Sequence, residues 1–174
     1  MKELWCDFDG VIVPNVISGI NISGISRDEF TKLVINAYQD NPIISESIKV
    51  LISENKKVGS KIYIITGRKE LDFRDMTEKV LEENNIEVDH IYYYPEESNY
   101  EAAEYYEWKA RVIGASAKSD PSTAIRVIDD DQGLLEYLKE NILSNNLVLT
   151  HYEFFMDRNE TQSIPTLFFR HKLN

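Results

Sequence analysis

A length of 174 residues suits one domain with a substantial core, and 43% hydrophobic content with many tyrosines excludes a disordered chain. A formal net charge of -11 excludes a global footprint for nucleic acid or an anionic membrane, so any such contact has to be local. No stretch approaches the ~20 apolar residues that cross a bilayer, MKELWCDF is too short and too charged for a signal peptide, and the lone Cys6 excludes an internal disulfide. A cytoplasmic protein is expected.

The chain opens with a short strand, ELWC, followed by a glycine- and serine-containing stretch, NVISGINISGIS, that has no helical period and reads as loop, flap or hairpin. Ser26 and Glu29 have capping-box spacing, and Phe30, Leu33, Val34 and Ala37 follow at helical intervals, predicting a helix from about 27 to 39. Asn41 as N-cap and Pro42 at the first helical position predict a second helix, with Ile44, Ile48, Leu51 and Ile52 as its apolar stripe. KIYII reads as a strand ending at TGRK, and Phe73, Met76, Val80 and Leu81 mark a helix from about 70 to 84. HIYYY is a half-buried strand closed by Pro95, PEESNYEAAEYY an acidic approach, and WKARVIGASA a helix. AIRVI is a strand ending in Asp129, Asp130 and Asp131, then come the helix GLLEYLKENI, the strand LVLT and a last candidate strand, IPTLFF. No repeat or linker marks a second domain.

Strands alternating with helices require crossover connections, so a mainly parallel five-stranded sheet covered on both faces is expected. Ligands in such folds bind beyond the carboxyl ends of the strands, where this sequence places Asp7 and Asp9, Thr66, and the pair Asp129 and Asp130. Asp7 and Asp9, two apart in extended chain, can face the same way, and their repulsion demands a cation. A calcium loop of the EF-hand type is excluded, because it needs glycine where Ile12 stands and glutamate where Ser18 stands.

In order along the chain, the D-x-D-G of DFDGV, the threonine of IITGR, a lysine in YYEWKARVI and the acidic pair of VIDDD resemble the four motifs of the haloacid dehalogenase (HAD) superfamily, with Val11 where many members have threonine. ITGRKELDFRDMTEKVL, YYEWKARVI and VIDDDQGLLEYL are most similar to polynucleotide-kinase 3′-phosphatase domains and related RNA-repair members, with Lys109 opening its helix. The resemblance implies a three-layer α/β/α Rossmann-like fold over 1–174, with a minimal or small cap or flap at 14–41. It also implies phosphomonoester hydrolysis through an aspartyl-phosphate, on a polynucleotide 3′-phosphate or another exposed phosphoester. Asp7 is then the nucleophile and Asp9 the acid and base. Magnesium would be held by Asp7, Asp130 and the Asp9 carbonyl, with Asp129 in support. Thr66 and the Gly67 N–H would hold phosphate at a helix start, Lys109 would offset charge, and Arg68 would touch substrate or pair with an acidic neighbour.

Other readings remain beside these. A small nucleotide or sugar phosphate is an alternative substrate, and a non-catalytic HAD-like binding module an alternative role. A receiver domain fails on order, because here the threonine precedes both the lysine and the acidic pair. Asp131 reads as a helix N-cap, Lys118 as a poorer candidate than Lys109, and His90, His151 and His171 as ordinary histidines outside the motifs. Arg158, Arg170, His171 and Lys172 read as a solvated tail.

Overall fold

The central strand β1, Lys2–Cys6, is buried along four of its five residues, because it is covered on both faces. In the computed structural model, which describes residues 2–15, 26–38, 44–98, 101–142 and 144–154, it is followed by α1 (Arg27–Tyr38), α2 (Glu46–Lys57), β2 (Lys61–Lys69) and α3 (Glu70–Glu83). Then come β3 (His90–Tyr94), α4 (Ala102–Ser119), β4 (Ala124–Asp129), α5 (Gln132–Asn141) and β5 (Leu147–His151). All neighbouring strands are parallel, in the order β3-β2-β1-β4-β5, as the alternation of strands and helices requires.

Alternating side chains of the strands feed two cores. Leu4, Cys6, Ile62, Ile64 and Ile128 pack with Val34, Ile48, Ile52, Phe73 and Val80 of α1, α2 and α3. Trp5, Ile65, Ile125 and Val127 pack on the other face with Trp108, Ile113, Leu134 and Leu138 of α4 and α5. The chain leaves β1 toward β2 and β3, then returns across the sheet to β4, so the connections after β1 and β4 diverge and open a crevice between them. No helix among the described residues is long and apolar enough to cross a membrane.

Three boundaries differ from expectation. The helix expected from Pro42 starts at Glu46, because the Ser45 hydroxyl accepts from Ile48 N–H at 3.3 Å and lies 2.5 Å from Tyr152 Oη. Ile44 is still buried, while Asn41 and Pro42 lie outside the described residues. β2 runs to Lys69 rather than stopping at Thr66, because a register shift lets Lys69 pair with Tyr94. α4 starts at Ala102, six residues before WKARVIGASA, so Lys109 sits inside a helix instead of opening one. The capping box of Ser26 and Glu29 is present, with Ser26 N–H donating to Glu29 Oε2 at 2.9 Å and Glu29 N–H to Ser26 Oγ at 3.3 Å. Of NVISGINISGIS only Asn15 and Ser26 are among the described residues, and IPTLFF and the basic tail lie outside them.

Candidate functional site

Beyond Cys6 the chain keeps to the sheet for one more step, Asp7 N–H donating to Ile128 O at 2.9 Å, and then turns sharply. The turn is closed by Gly10 N–H to Val13 O at 2.7 Å and by Ile12 and Val13 N–H to Phe8 O at 2.9 and 3.0 Å. Gly10 has φ +81°, and a side chain there would overlap the Asp130 carboxylate. Glycine therefore lets the loop after β1 close on the loop after β4.

That closure gathers Asp7, Asp129 and Asp130, which offer carboxylate oxygens all within 4.8 Å of one another. Lys109, fully buried, reaches them from α4, with Nζ 2.7 Å from Asp129 Oδ2 and 3.3 Å from Asp7 Oδ1. Burial pushes the Asp7 carboxyl well above the usual range; Lys109 opposes this, while Asp129, Asp130 and Asp9 push it further. Asp130 is pushed up to about 6 by burial and by Asp129. Burial alone would lower Lys109, but Asp129 and Asp7 outweigh it and hold the ammonium charged. One cation thus faces three carboxylates. Both Asp129 oxygens are committed, one to Lys109 and the other to Asp131 N–H at 3.0 Å, whereas Asp7 Oδ1 is buried and makes no hydrogen bond. Asp7 and Asp130 thereby keep oxygens for a hard divalent cation, which this donor set suits.

Asp9 stands to one side of that cluster. Its Oδ2 accepts from Arg68 Nε at 2.8 Å, and its Oδ1 from Arg68 Nη2 at 2.8 Å and from Tyr38 Oη at 2.6 Å. Arg68 is itself buried, donates Nη1 to Thr77 Oγ1 at 3.0 Å and lies over the Phe8 ring at 4.4 Å. Of the two expectations for Arg68, the geometry is that of a partner for an acidic neighbour. Burial, and secondarily Asp9, push the Tyr38 hydroxyl up, which keeps it a donor.

Thr66 is fully buried, and its Oγ1 accepts from Arg68 N–H at 3.2 Å. It does not cap α3, which begins at Glu70 after Lys69, so the notch of Thr66 and Gly67 is a strand bulge where a helix start was expected. Tyr105 lies over this notch, its ring 3.4 Å from where a Gly67 side chain would begin and 4.7 Å from Lys109 Nζ. Asp131 caps α5 as expected, accepting from Leu134 N–H at 3.1 Å.

Four residues at the site escaped the sequence reading. Asn15 donates to Asp130 Oδ2 at 3.2 Å, and His151 Nε2 lies 2.9 Å from the Asp130 carbonyl oxygen, although this histidine lies outside the motifs. Tyr38 and Tyr105 complete the set. The only local signal was Tyr38's place on the apolar stripe of α1, which does not reveal where a hydroxyl ends.

No family model and no curated protein sequence matches the chain. Solved structures do match in fold. Across 86% of its length the chain aligns with 42% of a chain in the structure of the Pnkp1/Rnl/Hen1 RNA repair complex, with TM-score 0.61 and 15% identity. A second structure of a Pnkp1/Rnl/Hen1 complex gives 0.55 and 14% over 86% of this chain and 45% of that one. D,D-heptose 1.7-bisphosphate phosphatase from B. bronchiseptica, complexed with magnesium and phosphate, gives 0.51 and 12% over 86% and 92%. The chain spans less than half the length of the first two. These likenesses are of fold, and the fold is the HAD-like α/β architecture that the motifs resemble.

Proposed function

We propose that this HAD-like fold carries a magnesium-dependent phosphomonoester phosphatase that works through an aspartyl-phosphate on Asp7. The observation that carries the reading is the buried approach of Lys109 to Asp7, at 3.3 Å, inside a cluster of three carboxylates at the crevice between β1 and β4. One buried ammonium does not neutralise three carboxylates, and the remaining imbalance costs several kcal/mol that a structural role leaves unexplained.

In the reaction, an Asp7 oxygen attacks phosphorus, the bond to the leaving oxygen breaks, and Asp9 delivers a proton to that oxygen. Water then attacks the same phosphorus, Asp9 takes its proton, and the bond to Asp7 breaks to release inorganic phosphate. The Thr66 hydroxyl and the Gly67 N–H bind phosphoryl oxygens, Lys109 offsets charge on Asp7 and the phosphate, and Arg68 acts through Asp9. Asp7, Asp130 and the Asp9 carbonyl would hold magnesium with Asp129 in support, and the ion would supply the remaining charge neutralisation.

A small cap drawn from 14–41 on one domain belongs to this reading; its support is α1, which carries Tyr38 to Asp9, while 16–25 and 39–41 lie outside the described residues. A polynucleotide 3′-phosphate is the first substrate to test, since two of the matched structures come from RNA repair complexes. A sugar phosphate is the second, on the strength of the heptose bisphosphate phosphatase match. A cytoplasmic place belongs to this reading, supported by the single cysteine, Cys6, which leaves no internal disulfide to form.

The decisive experiment is hydrolysis of p-nitrophenyl phosphate with magnesium, with EDTA, and by Asp7→Asn. Activity should require the metal and fall more than about a thousandfold in the variant. An inert wild type rejects the reading in favour of a non-catalytic module, and full activity in Asp7→Asn rejects the aspartyl-phosphate on Asp7. Comparing 3′-phosphorylated oligonucleotides with nucleotides and sugar phosphates then separates the substrates.

A further inference from the structure

Tyr38 lies outside every motif that resembles the superfamily, yet its hydroxyl ends on Asp9. Oη is 2.6 Å from Asp9 Oδ1 and 2.8 Å from the Pro14 carbonyl oxygen. The residue is only 6% exposed, and its ring lies 4.8 Å from the Arg68 guanidinium carbon. With Arg68 donating to both oxygens, three hydrogen bonds fix the Asp9 carboxylate, leaving about one of its roughly four acceptor positions free.

Building on the phosphatase reading, we infer that Tyr38 is a positioning residue that fixes Asp9 in the orientation from which it protonates the leaving oxygen. Arg68 can only donate, so it serves the carboxylate form. Tyr38 donates to Oδ1, and with Arg68 on both oxygens the one acceptor position left free is where the proton that Asp9 delivers sits. The Pro14 carbonyl oxygen, 2.8 Å from the same hydroxyl, helps hold it beside Asp9. α1 thus links the cover of the site to leaving-group protonation. Its far end is tied down by Arg27, which meets Asp72 and Glu96 at 2.7 Å each, on the exposed side of the molecule.

Tyr38→Phe keeps the ring over Arg68 and removes only the hydroxyl. The readout is kcat/KM, which covers the steps up to phosphoryl transfer, for an aryl phosphate whose phenolate departs readily and an alkyl phosphate whose alkoxide needs a proton. The alkyl-to-aryl ratio should fall roughly tenfold relative to wild type, a fraction of what a general acid contributes. An equal loss on both substrates, as a loosened fold would give, or no loss on either, overturns the inference and leaves the phosphatase reading standing. A wild type inert on both overturns that reading and the inference with it. Should Tyr38→Phe fail to fold, Arg27→Ala releases the other end of α1 without altering an atom of Tyr38 or Asp9. It should lower the same ratio about twofold, in keeping with the weakness of exposed ion pairs, and an unchanged ratio overturns the inference.

Discussion

At the scale of single residues the site turns on Gly10. Its positive φ makes the sharp turn after β1, its N–H and C=O are held by Val13 and by Phe154, and its bare Cα leaves room for the Asp130 carboxylate. In Gly10→Ala the new methyl overlaps Asp130, whose other neighbour, Asn15, holds it in place. Asp130 must move, and the metal site moves with it. Magnesium affinity, read by calorimetry, should fall at least about tenfold, as it does when a ligand loses its orientation. Stability should fall by about 1–3 kcal/mol from left-handed strain. Unchanged magnesium affinity would show that Asp130 is not a ligand. The DFDG stretch made the two carboxylates legible, but the glycine's second duty, making room for a residue 120 positions later, exists only after β1 and β4 have paired.

At the scale of elements, the sequence spoke clearly where chemistry is local and was ambiguous where a partner decides. Every described strand was visible because its apolar run ends in a polar residue or a turn signal, and the five described helices followed their 3.6-residue period. α2 was expected to start at Asn41-Pro42, and the N-cap is Ser45 instead. Ser45 prevails with a partner 107 residues away, since Tyr152 lies 2.5 Å from its hydroxyl and Ile48 N–H donates to the same oxygen. Ser45→Ala should therefore cost about 1–2 kcal/mol in urea unfolding, the range of a lost N-cap. Tyr152→Phe should recover less than half of that effect, because the cap bond survives. A Ser45→Ala protein as stable as wild type would remove the cap from the account. α4 was legible from Trp108 onward but not from Ala102, because Glu101 makes no side-chain cap bond and so gives no local start signal. Tyr38 shows the same limit in the site: period marks the buried face of α1, while the atom its hydroxyl meets depends on the loop after β1.

At the scale of the whole molecule, the crevice where β1 and β4 end gathers three carboxylates around one buried lysine, and this imbalance is measurable without any substrate. Asp130, pushed up to about 6, and Asp7, pushed up by burial, bind protons more tightly folded than unfolded. A carboxyl raised on folding stabilises the protein below its unfolded pKa, near 3.8, and that contribution is lost as pH rises through the folded value. Asp120 has the opposite sign: hydrogen bonds from Ser122 and Thr123 lower it to about 2, so its contribution is present above the unfolded value and is lost only in stronger acid. Between pH 4.5 and 7 the cluster should therefore dominate this part of the balance, and the metal-free protein should lose on the order of 2–3 kcal/mol as pH rises. Saturating magnesium should abolish the loss, because an ion that binds ionised carboxylates stabilises the folded chain most where they are unprotonated. Urea midpoints at several pH values, in EDTA and in magnesium, test both halves, with Asp130→Asn expected to flatten the EDTA curve. Parallel curves with and without magnesium would mean that the three carboxylates do not form one cation site, and the chemistry proposed for Asp7 would lose its electrostatic basis.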